Sequence, residues 1–382
     1  MSNLSNFNNT CIDITELLNT VNGKTFEQVK ITMEELKIKV KENEKLYLLI
    51  SDHNDNESKL DRICNGIILE KETNNVICMS QHKLLEIDRP LQQEQIETMK
   101  ANYKMRMEYC EDATRISLYN YNGVWVTATT KCIDAKTSFW SAPKTFDELF
   151  WEVFDKDFVN ELDPNFTYTF LLTHVDNRIV VKHKYNNLIY VSRINNKTQN
   201  EDYTNYFYKE GPKRTIRRPK QIDTFTINYP LDDYFLPNKR GIIVKFLINN
   251  SWESYQYDFL SYSQMKEIRG NVPSIRLRYL ELLSKPEFLV QLEMCYSENF
   301  FLFAVVKHQL TNLYKTIHQL YMDSHVKHSL LITEHHPYFI TCKQLHAQYK
   351  KTGDHITLDQ VKNKINSLDK YTINKLLGCL NF

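Results

Sequence analysis

The sequence predicts an α+β protein in which a mainly antiparallel-sheet domain is followed by an all-helical domain. Three observations carry that prediction. From about residue 46 to 260, short β-branched and aromatic runs are separated by turns bearing Asn or Gly, the pattern of successive hairpins. One amphipathic stretch interrupts them, KTFDELFWEVFDKDFVNEL (144–162), in which Phe146, Leu149, Phe150, Val153 and Phe154 recur at helical spacing. After about residue 275 the apolar spacing is helical to the end.

Residues 1–45 read as a leading helical segment, with Phe26, Val29, Ile31, Met33, Leu36 and Val40 set in a charged background. Four hairpins are predicted, at 65–79, 115–129, 178–194 and 240–259, the second turning on Asn122-Gly123. The tail predicts helices near 275–284, 298–325 and 337–351, and a last helical region opened by Thr357 and Asp359 as cap residues. The division is therefore expected near 275, giving segments 1–45, 46–275 and 276–382. No fixed-period repeat or low-complexity tract is present.

Composition narrows the function classes. A formal net charge of +1 over 382 residues means that any nucleic-acid affinity must come from local basic patches. The 8 cysteines form no CxxC pair, which argues against zinc ribbons and a disulfide framework and favours a reducing compartment. The polar start MSNLSNFNNTCIDITELL predicts no signal peptide. The longest apolar run, Phe300 to Val306, is far short of the roughly 20 residues that span a bilayer, so no membrane partner is expected.

The order of several segments is more specific than any one of them. LYLLISDHNDNESKLDRICNGIILEKETNNVICMSQHKLLEI (46–87), YCEDATRISLYNYNGVWVTATTK (109–131), FDELF, NFTYTFLLTHVDNRIVVKHKYNNLIYVSRI (165–194) and RGIIVKF (240–246) resemble successive blocks of the T4-type RNA ligase family. IHQLYMDSHVKH (317–328) and LHAQYKKTGDHITLDQV (345–361) are similar to the helical tails of ligase-like proteins encoded by giant viruses. The resemblance implies a nucleotidyltransferase (ATP-grasp-like) domain that, in the family, joins RNA ends with ATP. AMP moves onto a lysine, then onto a 5′ phosphate, and is then released. That chemistry needs an amine nucleophile, cations against the phosphates and acidic ligands for Mg²⁺.

The same alignment removes those groups. In the family's KxDG motif, Asp112 and Ala113 fall on D and G, which puts Cys110 on the lysine. The acidic residue of a FEL-like triplet becomes Leu171, the metal-ligating glutamate of EGxV becomes Arg240, the lysines of KxK become Gln256 and Asp258, and the arginine of CRG becomes Asn65. Scaffold positions are kept: Asn122-Gly123, Trp125, Trp140 and a strand at 177–181. The expectation is a catalytically degenerate viral protein, a pseudoenzyme that binds RNA, a nucleotide or a viral protein, in the host cytoplasm (viral factory) or the virion. It needs no cofactor, with ATP and Mg²⁺ required only if activity is retained.

Two further hypotheses stay open: an active ATP-dependent RNA ligase with relocated groups, and an assembly protein acting through its helical tail. Lys131, at the end of the strand expected to pair with that of Cys110, and Lys104 are the substitute nucleophiles. A groove without its lysine could hold an RNA end through Lys131, Arg178, Lys245 and the basic loop 209–220, which carries Lys213, Arg214, Arg217, Arg218 and Lys220. Against this stands the reading of that loop as a solvated surface, and of the neighbouring YTNYFY (203–208) as packing rather than base-stacking residues. Cys110 reads as a buried inert thiol. His318, His325 and His328 fit an amphipathic surface better than a metal site, and no metal is expected.

Overall fold

The computed structural model describes residues 14–51, 58–87, 93–140, 143–207, 215–222, 239–248 and 251–380. The chain divides into two compact units, Met1–Ser263 and Gln264–Phe382. The first unit holds the sheets and the second is helical. This is the predicted α+β class, with antiparallel sheet first and helices after.

The first unit opens with α1 (Thr15–Val21) and α2 (Phe26–Glu35). Thr25 closes a capping box with Gln28 at the start of α2, satisfying backbone N–H groups that have no partner within the helix. The leading segment does not stay helical to residue 45, because β1 (Lys39–Glu42) pairs antiparallel with β2 (Leu46–Ile50). β3 (Asn65–Glu70) and β4 (Val76–Cys78) complete a four-stranded sheet in the order β1-β2-β3-β4, with the short α3 (Lys59–Ile63) before β3. β2 is buried along its whole length, its Tyr47 and Leu49 on the core beneath α1 and α2 and its Leu46 and Leu48 on the opposite face.

Next come β5 (Leu85–Glu86), α4 (Gln93–Asn102), β6 (Lys104–Cys110), β7 (Thr114–Tyr121) and β8 (Val124–Ala128). The β7–β8 turn is as predicted: Asn122 and Gly123 both take positive φ, 52° and 82°, the pair of left-handed residues that a two-residue hairpin requires. α5 (Phe146–Val153) follows the FDELF pattern, with a Thr145–Glu148 capping box and Leu149 and Phe150 buried. β9 (Phe166–Thr173), β10 (Asn187–Asn195) and β11 (Glu201–Asp202) join the previous pair in a five-stranded sheet, β11-β10-β9-β7-β8. Its apolar face carries an aromatic cluster of Phe150, Phe154, Phe158, Phe170, Tyr190 and Phe207. β12 (Gly241–Ile248) and β13 (Ser251–Asp258) form the fourth predicted hairpin and build a third sheet, β5-β13-β12-β6.

The third predicted hairpin is corrected. Residues 178–186 are not a strand; they form the loop joining β9 to β10, which are themselves the hairpin. The physical reason is local. The Val180 and Val181 N–H groups donate to the Asp112 carboxylate at 2.8 and 2.7 Å, so they are unavailable to a sheet ladder.

α6 (Leu260–Arg269) contains the division between the units. The helical unit continues with α7 (Ile275–Glu281), α8 (Pro286–Cys295), α9 (Phe300–Tyr321), α10 (Phe339–Thr352), α11 (Leu358–Asn366) and α12 (Lys370–Gly378). α8, opened by Pro286 in the first turn, interrupts what the sequence left unassigned between the first two predicted helices. Thr357 caps α11, while Asp359 lies in its first turn. α9 buries Phe303, Val306, Leu310, Leu313 and Ile317 against this unit's own core. Among the described residues no single helix is long and apolar enough to cross a membrane; the pair Pro286–Cys295 and Ser297–Val326 meets that test only together, bent by 98°.

Candidate functional site

The chain passes from the third sheet to the second at Glu111–Ala113, between β6 and β7, and the site is built around that crossing. Asp112 organises it. Its Oδ2 accepts the two N–H groups of the 178–186 loop, its Oδ1 accepts the Tyr262 hydroxyl at 2.7 Å, and its carbonyl lies 2.7 Å from His183 Nε2. Burial first, then the Asp112 charge, holds the Tyr262 phenol proton well above the ordinary tyrosine range.

A cavity of about 530 Å³ opens beside this hub, lined among others by Cys110, Lys131, Leu171, Arg240, Lys245 and Gln256. These residues, and Asn65 with them, were singled out from sequence and converge here. Lys131 reaches the cavity by a route different from the expected one. It follows β8 in the second sheet, whereas Cys110 ends β6, which pairs with β12 in the third. Arg178 is not among the lining residues; its Nε donates to the Val180 carbonyl at 3.1 Å.

At the position that the resemblance implies for nucleotide attachment, the side chain is a buried thiol. Cys110 is buried, its thiol points to the Glu111 carbonyl at 3.8 Å, and burial pushes it up to about 12 even though Arg240 pulls the other way. A neutral thiol at that spot neither carries AMP as a phosphoramidate nor serves as a thiolate nucleophile. Beside it, Arg240 Nε and Nη2 donate to the two oxygens of Asp258 at 2.8 and 3.0 Å, and Gln256 Nε2 donates to the same carboxylate at 2.6 Å. Gly241 lets the two strands approach at this point, since a Cβ there would stand 1.9 Å from the Tyr257 carbonyl oxygen. The position implied to hold a metal therefore presents a guanidinium, and its carboxylate neighbour is already bound by two donors. These residues do not fit Mg²⁺. Among the described residues no group of three or more His, Cys, Asp and Glu side chains is placed to hold a metal ion.

Two buried ion pairs that sequence reading missed shape the walls. Lys245 meets Glu108 at 2.6 Å with both side chains at most 3 % exposed, and its ammonium sits 4.8 Å from the Tyr203 ring. Arg62 meets Glu253 at 2.7 Å. Their partners are 137 and 191 positions apart in sequence, so no local signal announces them.

The described part of the basic loop packs back onto the sheets. Arg217 bridges to Ile189 and Gln221 to Glu108, so residues 215–222 connect the edges of β10 and β6. The Arg218 guanidinium stacks 5.0 Å from the Tyr190 ring and Lys220 lies 5.7 Å from that of Tyr109, while Arg217 is exposed. Lys213, Arg214 and Tyr208 lie outside the described residues.

His82 gives the cavity a pH dependence. Burial first, then the charges of Arg62 and Arg115, depress its ring from 6.5 to about 4. Between those values the unfolded chain binds a proton that the folded chain does not. The stability tied to neutral His82 is therefore complete above pH ~6.5 and falls as pH drops toward 4, by about 3 kcal/mol in total. Urea denaturation from pH 7.5 to 4.5 should show a shallower loss for His82→Gln than for the parent. Equal slopes would refute the assignment.

Fold and site together define an α+β protein with a cation-bearing cavity between antiparallel strands and a separate helical unit. No family model matches the chain. The Immediate-early protein ICP-46 homolog of Invertebrate iridescent virus 6 is 23 % identical over 260 residues, which are 62 % of this chain and 56 % of that protein, so the match spans about half of the relative's length. Among solved structures, a putative ATP-dependent DNA ligase from Aquifex aeolicus is similar at 13 % identity and TM-score 0.41, covering 85 % of this chain and 80 % of its own. An archaeal ATP-dependent RNA ligase, in two forms, is similar at 10 and 11 % identity and TM-score 0.41, covering 76 and 75 % of this chain and 74 % of its own in each.

Proposed function

We propose that this chain is a catalytically degenerate, virus-encoded relative of the T4-type RNA ligases, whose cavity holds a nucleotide or a phosphorylated RNA end without bonding to it covalently. The observation that carries the reading is the neutral Cys110 thiol at the attachment position, beside the closed Arg240–Asp258 pair. Positioning remains where nucleophile and metal ligands are gone. The cavity still has cations and aromatic rings on its walls, among them Lys131, Lys245, Trp140 and Tyr203, of the kind that recognise phosphate and base. On this reading the protein acts in the host cytoplasm or virion and needs neither ATP hydrolysis nor Mg²⁺.

A second reading, an active ligase with a relocated nucleophile, is favoured by one observation: Lys131 lines the same cavity as Cys110. Incubation with radiolabelled ATP, and separately GTP, plus Mg²⁺ or Mn²⁺, followed by a denaturing gel, separates the two. No labelled band is expected from folded protein that binds nucleotide or 5′-phosphorylated RNA in a parallel titration. A band mapped to Lys131 would overturn the degenerate reading. Absence of both label and binding would favour an assembly role for the helical unit.

A further inference from the structure

The helical unit has a cavity of its own, about 550 Å³, within the roughly 300–1,000 Å³ range of small-molecule sites. Its lining holds no Asp, Glu, Lys or Arg, and two of the histidines singled out from sequence, His318 and His325, belong to it. The end of α9 builds one wall. After Tyr321 the helix passes into a single π turn, Met322–Val326, closed by the Lys327 N–H donating to the Met322 carbonyl at 2.8 Å. Such turns are frequent where a helix serves a site, and Met322, His325 and Val326 of this one all line the cavity.

Aromatic rings follow one another beside it. Tyr321 and His325 stack with centroids 5.1 Å apart and planes at 9°, and His325 lies 4.6 Å from His346. His346 and Tyr349 stack at 5.9 Å and 26°, Tyr349 and His355 at 6.4 Å and 24°. The series draws on α9 and its π turn, on α10 and on the loop before α11, and its last two members are exposed. Rings stacked in series beside an open cavity offer a further planar ring a place to stack.

Hydrogen bonds fix what the imidazoles offer at their edges. The one Ser324 hydroxyl proton goes to the Leu320 carbonyl at 2.6 Å, so in the 2.7 Å contact with Ser324 Oγ it is His325 Nδ1 that donates. His325 Nε2 is then an acceptor. His318 Nε2 donates to the Ile356 carbonyl at 3.2 Å, which leaves its Nδ1 an acceptor as well. Burial first, then the charges of His346, His328 and Lys350, holds His325 below the usual histidine range, so the ring is neutral at pH 7 and keeps its acceptor. An uncharged planar ring with N–H donors on its edge fits these walls. A phosphate does not, since no Lys or Arg lines them.

We infer that the cavity at the end of α9 binds an amino-bearing nucleobase, stacked on the ring series of Tyr321, His325, His346, Tyr349 and His355 and donating from its edge to His325. The site lies in the other unit from the cavity beside Cys110, and its failure would leave the reading of that cavity untouched.

Calorimetric titration of the full chain with adenosine, purine riboside (which lacks the amino group), ribose 5-phosphate and an oligoadenylate tests it. Tyr349→Ala should bind adenosine roughly 5- to 150-fold more weakly than the parent, the range of one base–aromatic stack, while Tyr349→Phe keeps the ring and the affinity. His325→Phe keeps a ring but loses the acceptor, and should bring adenosine down to the level of purine riboside, about 3- to 10-fold weaker. Tyr349 is 37 % exposed, so its two variants decide the question if His325→Phe does not fold. The inference is overturned if the folded parent binds no adenosine, if Tyr349→Ala binds it as tightly as the parent, or if purine riboside binds as tightly as adenosine. Binding of ribose 5-phosphate that is lost in Tyr349→Ala, or displacement of adenosine by N-acetyltyrosinamide, would overturn it in favour of a phosphate or a protein side chain. Tighter binding of the oligoadenylate than of adenosine, with the same dependence on Tyr349, would support the site and identify an RNA strand as the source of the base.

Discussion

Replacing Asp112 with alanine should lower stability by about 3–6 kcal/mol, the expected cost of stranding several buried donors that had a charged acceptor. Three donors lose their partner at once: the Val180 and Val181 N–H groups and the Tyr262 hydroxyl. Asp112 is 3 % exposed, so water is poorly placed to substitute. The effect should also be local. The 178–186 loop has no sheet ladder of its own, and trypsin should cut at Arg178, Lys182 or Lys184 markedly faster in Asp112→Ala than in the parent. Asp112→Asn retains an acceptor oxygen and should lose less. Urea denaturation and a digestion time course measure both effects, and an unchanged midpoint with unchanged cleavage would show that the carboxylate does not hold the loop.

The second large effect concerns Arg240 and Asp258. Arg240→Glu sets two carboxylates side by side where a bidentate pair stood, and should cost about 2–4 kcal/mol for side chains that are 24 % and 15 % exposed. Asp258→Lys alone should behave similarly. The double variant Arg240→Glu, Asp258→Lys restores opposite charges in the reverse order and should recover most of the loss, a coupling of about 2 kcal/mol or more in a double-mutant cycle. The resemblance to T4-type ligases implies glutamate and lysine at these two positions, the opposite polarity to the Arg240–Asp258 pair. Restoring the family's polarity should still give no nucleotide labelling, because Cys110 and Leu171 remain. Additive losses in the cycle would show that the two side chains do not work as a pair.

Much of the fold was legible because it rests on local rules. Asn-Gly specified the β7–β8 turn through two positive φ angles, and apolar spacing placed α5 and α9. The hairpin expected at 178–194 failed for a reason that local rules do not contain. Val-rich sequence favours a strand, but the N–H groups of Val180 and Val181 found a carboxylate 69 residues or fewer away in the chain instead of a neighbouring strand. The residues Cys110, Leu171, Arg240, Gln256 and Asp258 were visible one by one. That Arg240 closes on Asp258 was not.

The sequence by itself determined the α+β class and the order of most elements, since each depends on residue type and short-range periodicity. The tertiary structure decided which charges are matched. Lys245 with Glu108, Arg62 with Glu253, Arg240 with Asp258 and Asp112 with its three donors all depend on sheet register and on the crossing from β6 to β7. Register brings distant residues within hydrogen-bonding distance in a low-dielectric interior, and it is there, not along the chain, that a buried charge gains or lacks its partner.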